Sequence, residues 1–267
     1  MVELTGYVSL RAIHEVVVEE TTRLVQTWRT GTRAQPEPIP RQWIVGTGAR
    51  HAFGSKMGRF RIVESLATDD SAGGATLEAS TAFLEAMDAM TPAEFEWINL
   101  VGVDKSHDIK GIDYRPSHRD GDEWVQAQET VRQFASAPGA DESLLYRSLI
   151  LTRLQDVFDQ LGPDAVSRNE LDEWFSSAVD GTAFITSLSV QRVVAELLYA
   201  AHRNRGYAFR QHDRIDVHDL ALAVPYCDVV VPDSHWAHLA QASRVAGEYG
   251  TLVVRGQKAL RDWVEGL

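Results

Sequence analysis

The sequence predicts an α/β fold in which helices flank a parallel sheet and a large, mainly helical insertion interrupts the core. Its C-terminal part alternates short β-branched runs with helical patterns, in the order Asp228–Val231, Ser234–Glu248, Thr251–Val254 and Lys258–Val264. Strand and helix alternating at this spacing are typical of a right-handed crossover between parallel strands. The middle of the chain instead carries long stretches with apolar residues at helical spacing, which favours an insertion of helices.

Composition and charge narrow the class of protein. The 267 residues are 44% hydrophobic and 24% charged, as in ordinary globular chains. The single cysteine, Cys227, excludes an internal disulfide and a cysteine-rich zinc site. No apolar run reaches the roughly 18 residues of a membrane helix, and the N-terminus lacks a signal-peptide pattern, so we expect a cytoplasmic protein that does not associate with membranes.

The acidic balance bears on nucleic-acid binding. Lysine and arginine total 26 and aspartate and glutamate total 38, so the net charge is 26 − 38 = −12. This balance argues against a broad basic surface for nucleic acid. It leaves open an enzyme whose acids hold divalent cations beside a local basic strip.

The first half of the chain divides into helical patterns and loops. Ser9 is a suitable N-cap for a helix from Leu10 to about Trp28, whose apolar residues recur at helical spacing. Residues 32–40 carry three prolines and are predicted to be a connector. Loops and helices then alternate, with a loop at 67–75, a helix at 76–90, a capping box at Thr91–Glu94 that starts another helix, and a polar loop at 104–122.

The central part is predicted to be helical almost throughout. The helical patterns cover residues 123–134, 142–161 and 188–204. Ser167 and Glu170 form a second capping box, which starts a helix that runs through Phe175.

Three aspartates in the C-terminal part are candidates for chemistry. Asp233 follows the strand at 228–231 and precedes a helix, and ligands of parallel sheets bind beyond the carboxyl ends of the strands. Asp216 and Asp219 are three residues apart at the start of a helical stretch, so they would share one face. The alternative interpretation is that all three acids are ordinary helix caps or turn residues.

The segment before these acids, residues 202–214, is the most basic in the chain. It carries Arg203, Arg205, Arg210 and Arg214, with Tyr207 and Phe209 between them. Arginines can contact phosphates bidentately and aromatic rings can stack on bases, so the segment is a candidate nucleic-acid contact. The alternative is a solvated loop whose arginines offset the excess acid.

Two histidines give a weaker indication of a metal site. His235 and His238 are three residues apart on a predicted helix, but no acidic or cysteine partner pattern accompanies them. Packing or surface histidines are the more usual explanation of such a pair.

The stretch from Ala223 to Asp233, AVPYCDVVVPD, together with Asp216 and Asp219, resembles the end of PIN-like nuclease domains. The segment Ser9–Glu15 is similar to the early helix of one bacterial PIN-like subgroup. The resemblance implies a PIN-like α/β core at 1–30 and 185–267, with the insertion at 31–184. It also implies a Mg²⁺- or Mn²⁺-dependent ribonuclease in which Glu15, Asp219 and Asp233 are catalytic, and those three acids and Asp216 hold the metal.

One departure from the PIN-like pattern supports an alternative function. The family begins with a strand that carries its first metal-binding aspartate, whereas no aspartate precedes Glu15 here. The alternative is a catalytically impaired scaffold that binds RNA or a protein partner, such as an antitoxin; whether it forms oligomers stays open. A third hypothesis is a helical protein-interaction module whose acids only cap helices, which the absence of a central parallel sheet would favour.

Overall fold

The computed structural model describes residues 8–33, 35–36, 38–47, 51, 118–136, 142–162 and 165–266. Within these ranges the chain is mainly helical, with eleven helices, and its parallel sheet has only two strands. The predicted α/β class with a PIN-like parallel sheet is therefore wrong. The predicted loop at 67–75 and the helices predicted at 76–90 and after Thr91 lie outside the described residues.

The elements are numbered in chain order. The helices are α1 Ile13–Arg29, α2 Arg41–Ile44, α3 His118–Ala135, α4 Glu142–Leu161, α5 Arg168–Trp174, α6 Ala178–Thr186, α7 Ser189–Arg203, α8 Gln211–Tyr226, α9 Ser234–Ala242, α10 Val245–Glu248 and α11 Gly256–Glu265. The strands are β1 Val8–Leu10, β2 Val45–Thr47, β3 Val229–Val230 and β4 Leu252–Val253.

The chain divides into two compact units, residues 1–12 with 40–117 and residues 13–39 with 118–267. The boundaries predicted from the sequence are at 30/31 and 184/185. Helices α4 and α6, which belong to the predicted insertion, pack on α7 within the second unit.

In the first unit, β1 and β2 form an antiparallel pair in which Ser9 lies opposite Gly46. The backbone N–H of Arg11 extends this pairing by donating to the carbonyl of Ile44 at 2.8 Å. Ser9 therefore lies in a strand, and the prediction that it caps a helix beginning at Leu10 is wrong. A cap is decided by nearby residues, whereas this strand depends on a partner more than thirty residues further along the chain.

The second unit is a helical assembly around α7, which packs most extensively on α8 and also contacts α4 and α1. The apolar side chains of α7 recur at helical spacing, and those of Val190, Val193, Val194 and Leu197 are fully buried. The helices predicted at 123–134, 142–161, 168–175 and 188–204 are confirmed as α3, α4, α5 and α7. The Ser167 capping box is confirmed as well, although residues 118–122, predicted to be loop, belong to α3.

The C-terminal part confirms the predicted crossover but not a larger sheet. Strands β3 and β4 are parallel, with Val229 opposite Leu252. The apolar residues that precede β3 lie in α8 rather than in a further strand, so the sheet stops at two strands in the described part of the chain. The helix predicted at 234–248 is divided into α9 and α10 at Arg244, whose φ of 64° is incompatible with a continuous helix.

The described helices were compared by length and apolar composition with a membrane-spanning helix. None of them is by itself long and apolar enough to cross a bilayer, and only α6 and α7 together, bent by 113°, reach that length and composition.

Candidate functional site

Helix α8 positions most of the acids that the sequence singles out. It begins at Gln211 rather than near Asp216, and its first turn is closed by Asp213, whose carboxylate accepts the backbone N–H of Arg210 at 2.7 Å. Asp213 is only 5% exposed and also accepts a hydrogen bond from the Tyr207 hydroxyl. Burial and the nearby Asp213 carboxylate raise the pKa of Tyr207. Asp213 is therefore a structural cap that fixes the start of α8.

Asp216 and Asp233 belong to different elements but both accept hydrogen bonds from Trp236. Asp233 is the N-cap of α9 and its Oδ1 accepts the Trp236 backbone N–H at 2.8 Å. Asp216 on α8 accepts a hydrogen bond from the Trp236 side chain. Partial burial is the main cause that raises the pKa of Asp216, and the charges of Asp233 and Asp213 raise it further. We call Asp213, Asp216, Asp219 and Asp233 the acid site.

Asp219 lies one turn beyond Asp216 on α8. The pKa of Asp219 is raised to about 6, mainly by desolvation in the surrounding protein and further by the charge of Asp216. Part of the Asp219 residue is nevertheless exposed to solvent. A carboxyl group with a pKa near 6 can exchange protons close to neutral pH, which an ordinary aspartate cannot do efficiently. Asp216 therefore interacts with Asp219 along α8 and with Asp233 of the neighbouring element.

A metal centre at the acid site would need several ligands close together. Within the described ranges, no three histidine, cysteine, aspartate or glutamate side chains are arranged to hold a metal ion together. Glu15, in the first turn of α1, therefore does not complete a three-ligand set with the aspartates of the acid site. Magnesium in phosphate-transfer sites is often held by only one or two carboxylates together with substrate phosphates, and Asp216 with Asp233 offers such a pair.

Aromatic rings lie beside the acid site. Tyr207 stacks on His235, with ring centroids 4.2 Å apart and planes inclined by 14°. The His238 ring is paired with the Arg255 guanidinium at 2.9 Å. The two histidines therefore face different partners and do not form a metal pair, which agrees with the packing explanation of their spacing.

The four arginines of the basic segment do not form one strip. Arg203, Arg205 and Arg210 are exposed, and Arg203 lies 3.4 Å from a carboxylate oxygen of Glu142. Arg214 is half-buried and lines a cavity between helices. Arg205 and Arg210 therefore remain available to an external phosphate, whereas Arg214 faces a different environment.

A buried glutamate is one polar residue that the sequence analysis missed. Glu20 on α1 is 5% exposed; its Oε2 accepts the backbone N–H of Val190 at 3.1 Å, and its Oε1 accepts the Tyr226 hydroxyl at 2.6 Å. Burial outweighs these hydrogen bonds and raises the pKa of Glu20 to about 7. The available signal was its spacing from Val16, Val17 and Leu24, which puts an acid on the apolar stripe of α1.

Arg153 and Gln191 were missed in the same way. Arg153 is 6% exposed and lies between Ile150 and Val157 on the buried face of α4. Its Nη2 pairs with Asp156 at 2.6 Å, while its Nε finds no hydrogen-bond partner within the described residues. A buried charged donor left without an acceptor costs more than about 1–3 kcal/mol. Such a cost indicates that stability alone does not account for the residue.

Comparisons with protein-family models, curated proteins and solved structures find no match to this chain. The resemblance to PIN-like nucleases therefore stays a hypothesis that rests on the residues named above.

Proposed function

We propose that the protein is a divalent-cation-dependent ribonuclease whose substrate phosphodiester binds at the acid site. The observation that supports this most directly is the meeting of Asp216 and Asp233 at Trp236. Two carboxylates from separate elements are held close together, and partial burial, together with the charge of Asp233, raises the pKa of Asp216. A divalent cation relieves such repulsion, and the two carboxylates supply the hard oxygen ligands that Mg²⁺ and Mn²⁺ prefer.

The side chains around the acid site have distinct roles in this proposal. Asp216 and Asp233 hold the cation together with the substrate phosphate. Asp219, with a pKa of about 6, accepts the proton of the attacking hydroxyl or water. A bound cation would neutralise charge on the phosphate and lower the pKa of a ligated water.

Substrate positioning would come from the neighbouring exposed groups. Arg205 and Arg210 are exposed, and Arg210 adjoins Asp213 of the acid site; both would contact phosphates of the backbone. The stacked pair of Tyr207 and His235 offers an aromatic face for an unpaired base. Single-stranded RNA suits this arrangement better than a duplex, because its bases are free to stack.

The test compares native protein with Asp216→Asn in two measurements. Mixed single-stranded RNA is incubated with Mn²⁺ or with EDTA, and Mn²⁺ binding is measured by calorimetry without RNA. We expect the native protein to cleave only with Mn²⁺, and Asp216→Asn to lose cleavage and to bind Mn²⁺ at least tenfold more weakly. Asp262→Asn, an exposed aspartate on α11, is the matched control and keeps both properties. Cleavage that survives Asp216→Asn or EDTA rejects the proposal.

A second candidate is a helical binding module without catalysis, which was the third hypothesis from the sequence. It is favoured by the two-stranded sheet and by the capping roles of Asp213 and Asp233. On this hypothesis, neither RNA cleavage nor Mn²⁺ binding is detected in the native protein. Calorimetry therefore separates the two candidates even if the right RNA is not in the substrate mixture.

A further inference from the structure

A cavity of about 460 Å³ lies inside the second unit, between α1, α3, α4, α7 and α8. It contains none of the four aspartates of the acid site. Its wall is partly apolar, with Ile13, Val17, Val194 and the ring of Trp124, and partly polar. Its volume falls within the range of pockets that hold small organic ligands and is far larger than a single phosphate ion needs.

Two nearly fully buried polar residues, Arg153 and Gln191, line this cavity and are 6% and 4% exposed. The Nε of Arg153 and the Oε1 of Gln191 make no hydrogen bond within the described residues. Nearly all buried polar groups in folded proteins are hydrogen-bonded, so each exception calls for an explanation. The wall of the cavity therefore includes two polar residues whose hydrogen-bonding capacity the described residues do not fully use.

The α8 side of the cavity carries the positive charge of Arg214, whereas two acids lie elsewhere on the cavity wall. Asp156 pairs with Arg153, and Glu123 is an exposed residue of α3. Arg214 forms no salt bridge within the described ranges and lines the same cavity. The pKa of His218 is lowered to about 4, mainly by burial and further by the charges of Arg153 and Arg214. A group placed beside His218 therefore experiences two cations, which attract an anion.

We propose that this cavity binds a small organic oxyanion, with its charged head at Arg153 and Arg214 and its flat apolar part against Trp124. Guanidinium groups bind the oxygens of carboxylates and phosphates in the same fork geometry, so both kinds of head fit the polar wall. An uncharged ligand would leave Arg214 without a salt-bridge partner among the described residues, so we expect it to bind more weakly than an anion. The site is independent of the proposed nuclease function.

The probes are phenyl phosphate, benzoate and uncharged benzamide, each titrated calorimetrically into the full chain at neutral pH. We expect one of the two anions to bind with 1:1 stoichiometry and benzamide not to bind under the same conditions. The anion that binds more tightly distinguishes a phosphate head from a carboxylate head. The ring resonances of His218, followed by NMR, should shift on binding and thereby place the ligand in the cavity.

The variants are Arg214→Gln, Arg153→Lys and the control Arg168→Gln, an arginine whose side chain is 88% exposed on α5. Arg214→Gln should weaken binding at least tenfold, Arg153→Lys should weaken it as well, and Arg168→Gln should stay within twofold of native. Circular dichroism checks that each variant is folded. Failure of both anions to bind at millimolar concentration, or unchanged affinity in a folded Arg214→Gln, overturns the proposal. Anion binding retained in Asp216→Asn separates this result from the outcome of the nuclease test.

Discussion

The two edges of helix α8 carry opposite charges. Asp216 and Asp219 lie along one edge, whereas Arg214 and His218 lie along another, because residues three or four apart share a side of a helix. At the first edge, burial and the charge of Asp216 raise the pKa of Asp219 to about 6; at the second, burial and the charges of Arg153 and Arg214 lower the pKa of His218 to about 4. Each edge therefore disfavours its own charge and favours a ligand of opposite sign.

The edges also differ in access to solvent. Asp219 keeps an exposed surface, so a polymer such as RNA can approach it. Arg153 and Gln191 are almost completely buried in the wall of the cavity, whose volume suits a small molecule. If both proposals hold, one helix serves two sites, because its buried apolar residues, among them Val217, Ala221 and Val224, lie between its two edges.

The largest expected effect concerns Asp219 at the open edge. Cleavage by the native protein should rise as the pH increases through about 6, since only the ionised carboxylate can accept a proton. Asp219→Asn should lower the rate at least about 100-fold and abolish this rise, as is usual for a general base. Rates are measured with Mn²⁺ between pH 5 and 8, with Asp262→Asn as the control. A native pH profile that stays flat near pH 6 would contradict the assignment.

Glu20 sharpens the comparison, because its pKa is raised by burial rather than by neighbouring acids. The rise from 4.5 to about 7 means that the folded chain favours the protonated form. The protonated Glu20 therefore stabilises the fold fully below pH 4.5, and this stabilisation is lost as the pH rises through about 7. At about 1.4 kcal/mol per pKa unit, the loss in the free energy of unfolding is about 3 kcal/mol.

The measurement for Glu20 is urea unfolding of native protein and Glu20→Gln at pH 4.5 and pH 8. The native protein should lose about 3 kcal/mol relative to the variant between these two pH values, as the pKa shift implies. Glu19→Gln, at the neighbouring and more exposed glutamate, is the matched control. Equal pH dependence in the two variants would show that Glu20 is not responsible.

The smallest expected effect is at the enclosed edge. Arg214→Gln removes one of the two cations that act on His218, so the pKa of His218 should rise from about 4 toward its ordinary value. Arg168→Gln should leave it unchanged. The His218 ring is titrated by NMR in all three proteins, and a pKa that does not rise in Arg214→Gln would argue against a positive cavity wall.

The helical part of the fold was predictable, because its determinants are local. The apolar spacing of α7 and the Ser167–Glu170 capping box can be recognised within a dozen residues of sequence, and both are confirmed. The position of Ser9 was not predictable in this way, since its strand depends on a partner at Gly46. The size of the sheet was overestimated for a related reason. Whether a parallel pair recruits further strands depends on what packs beside it, and here that neighbour is α8.

The candidate sites were predictable in part. Helix spacing puts Asp216 and Asp219 on one face of α8, and Asp233 follows from its position between a strand and a helix. The four arginines of residues 202–214 have different environments, because Arg214 belongs to α8 and lines the cavity. The cavity could not be predicted from the sequence, because its polar residues come from five helices and no short stretch of sequence contains more than a few of them.

The partners of Glu20 have a consequence for synthesis on the ribosome. Helix α1 emerges from the ribosome before the groups that donate hydrogen bonds to its buried Glu20 carboxylate. These donors, at Val190 and Tyr226, are 170 and 206 residues further along the chain. Until both have been translated, the nascent α1 exposes a stripe of valine and leucine that carries an acid without donors. The N-terminal part of the second unit should therefore depend on chaperones until translation passes Tyr226, and fragments that end earlier should be prone to degradation.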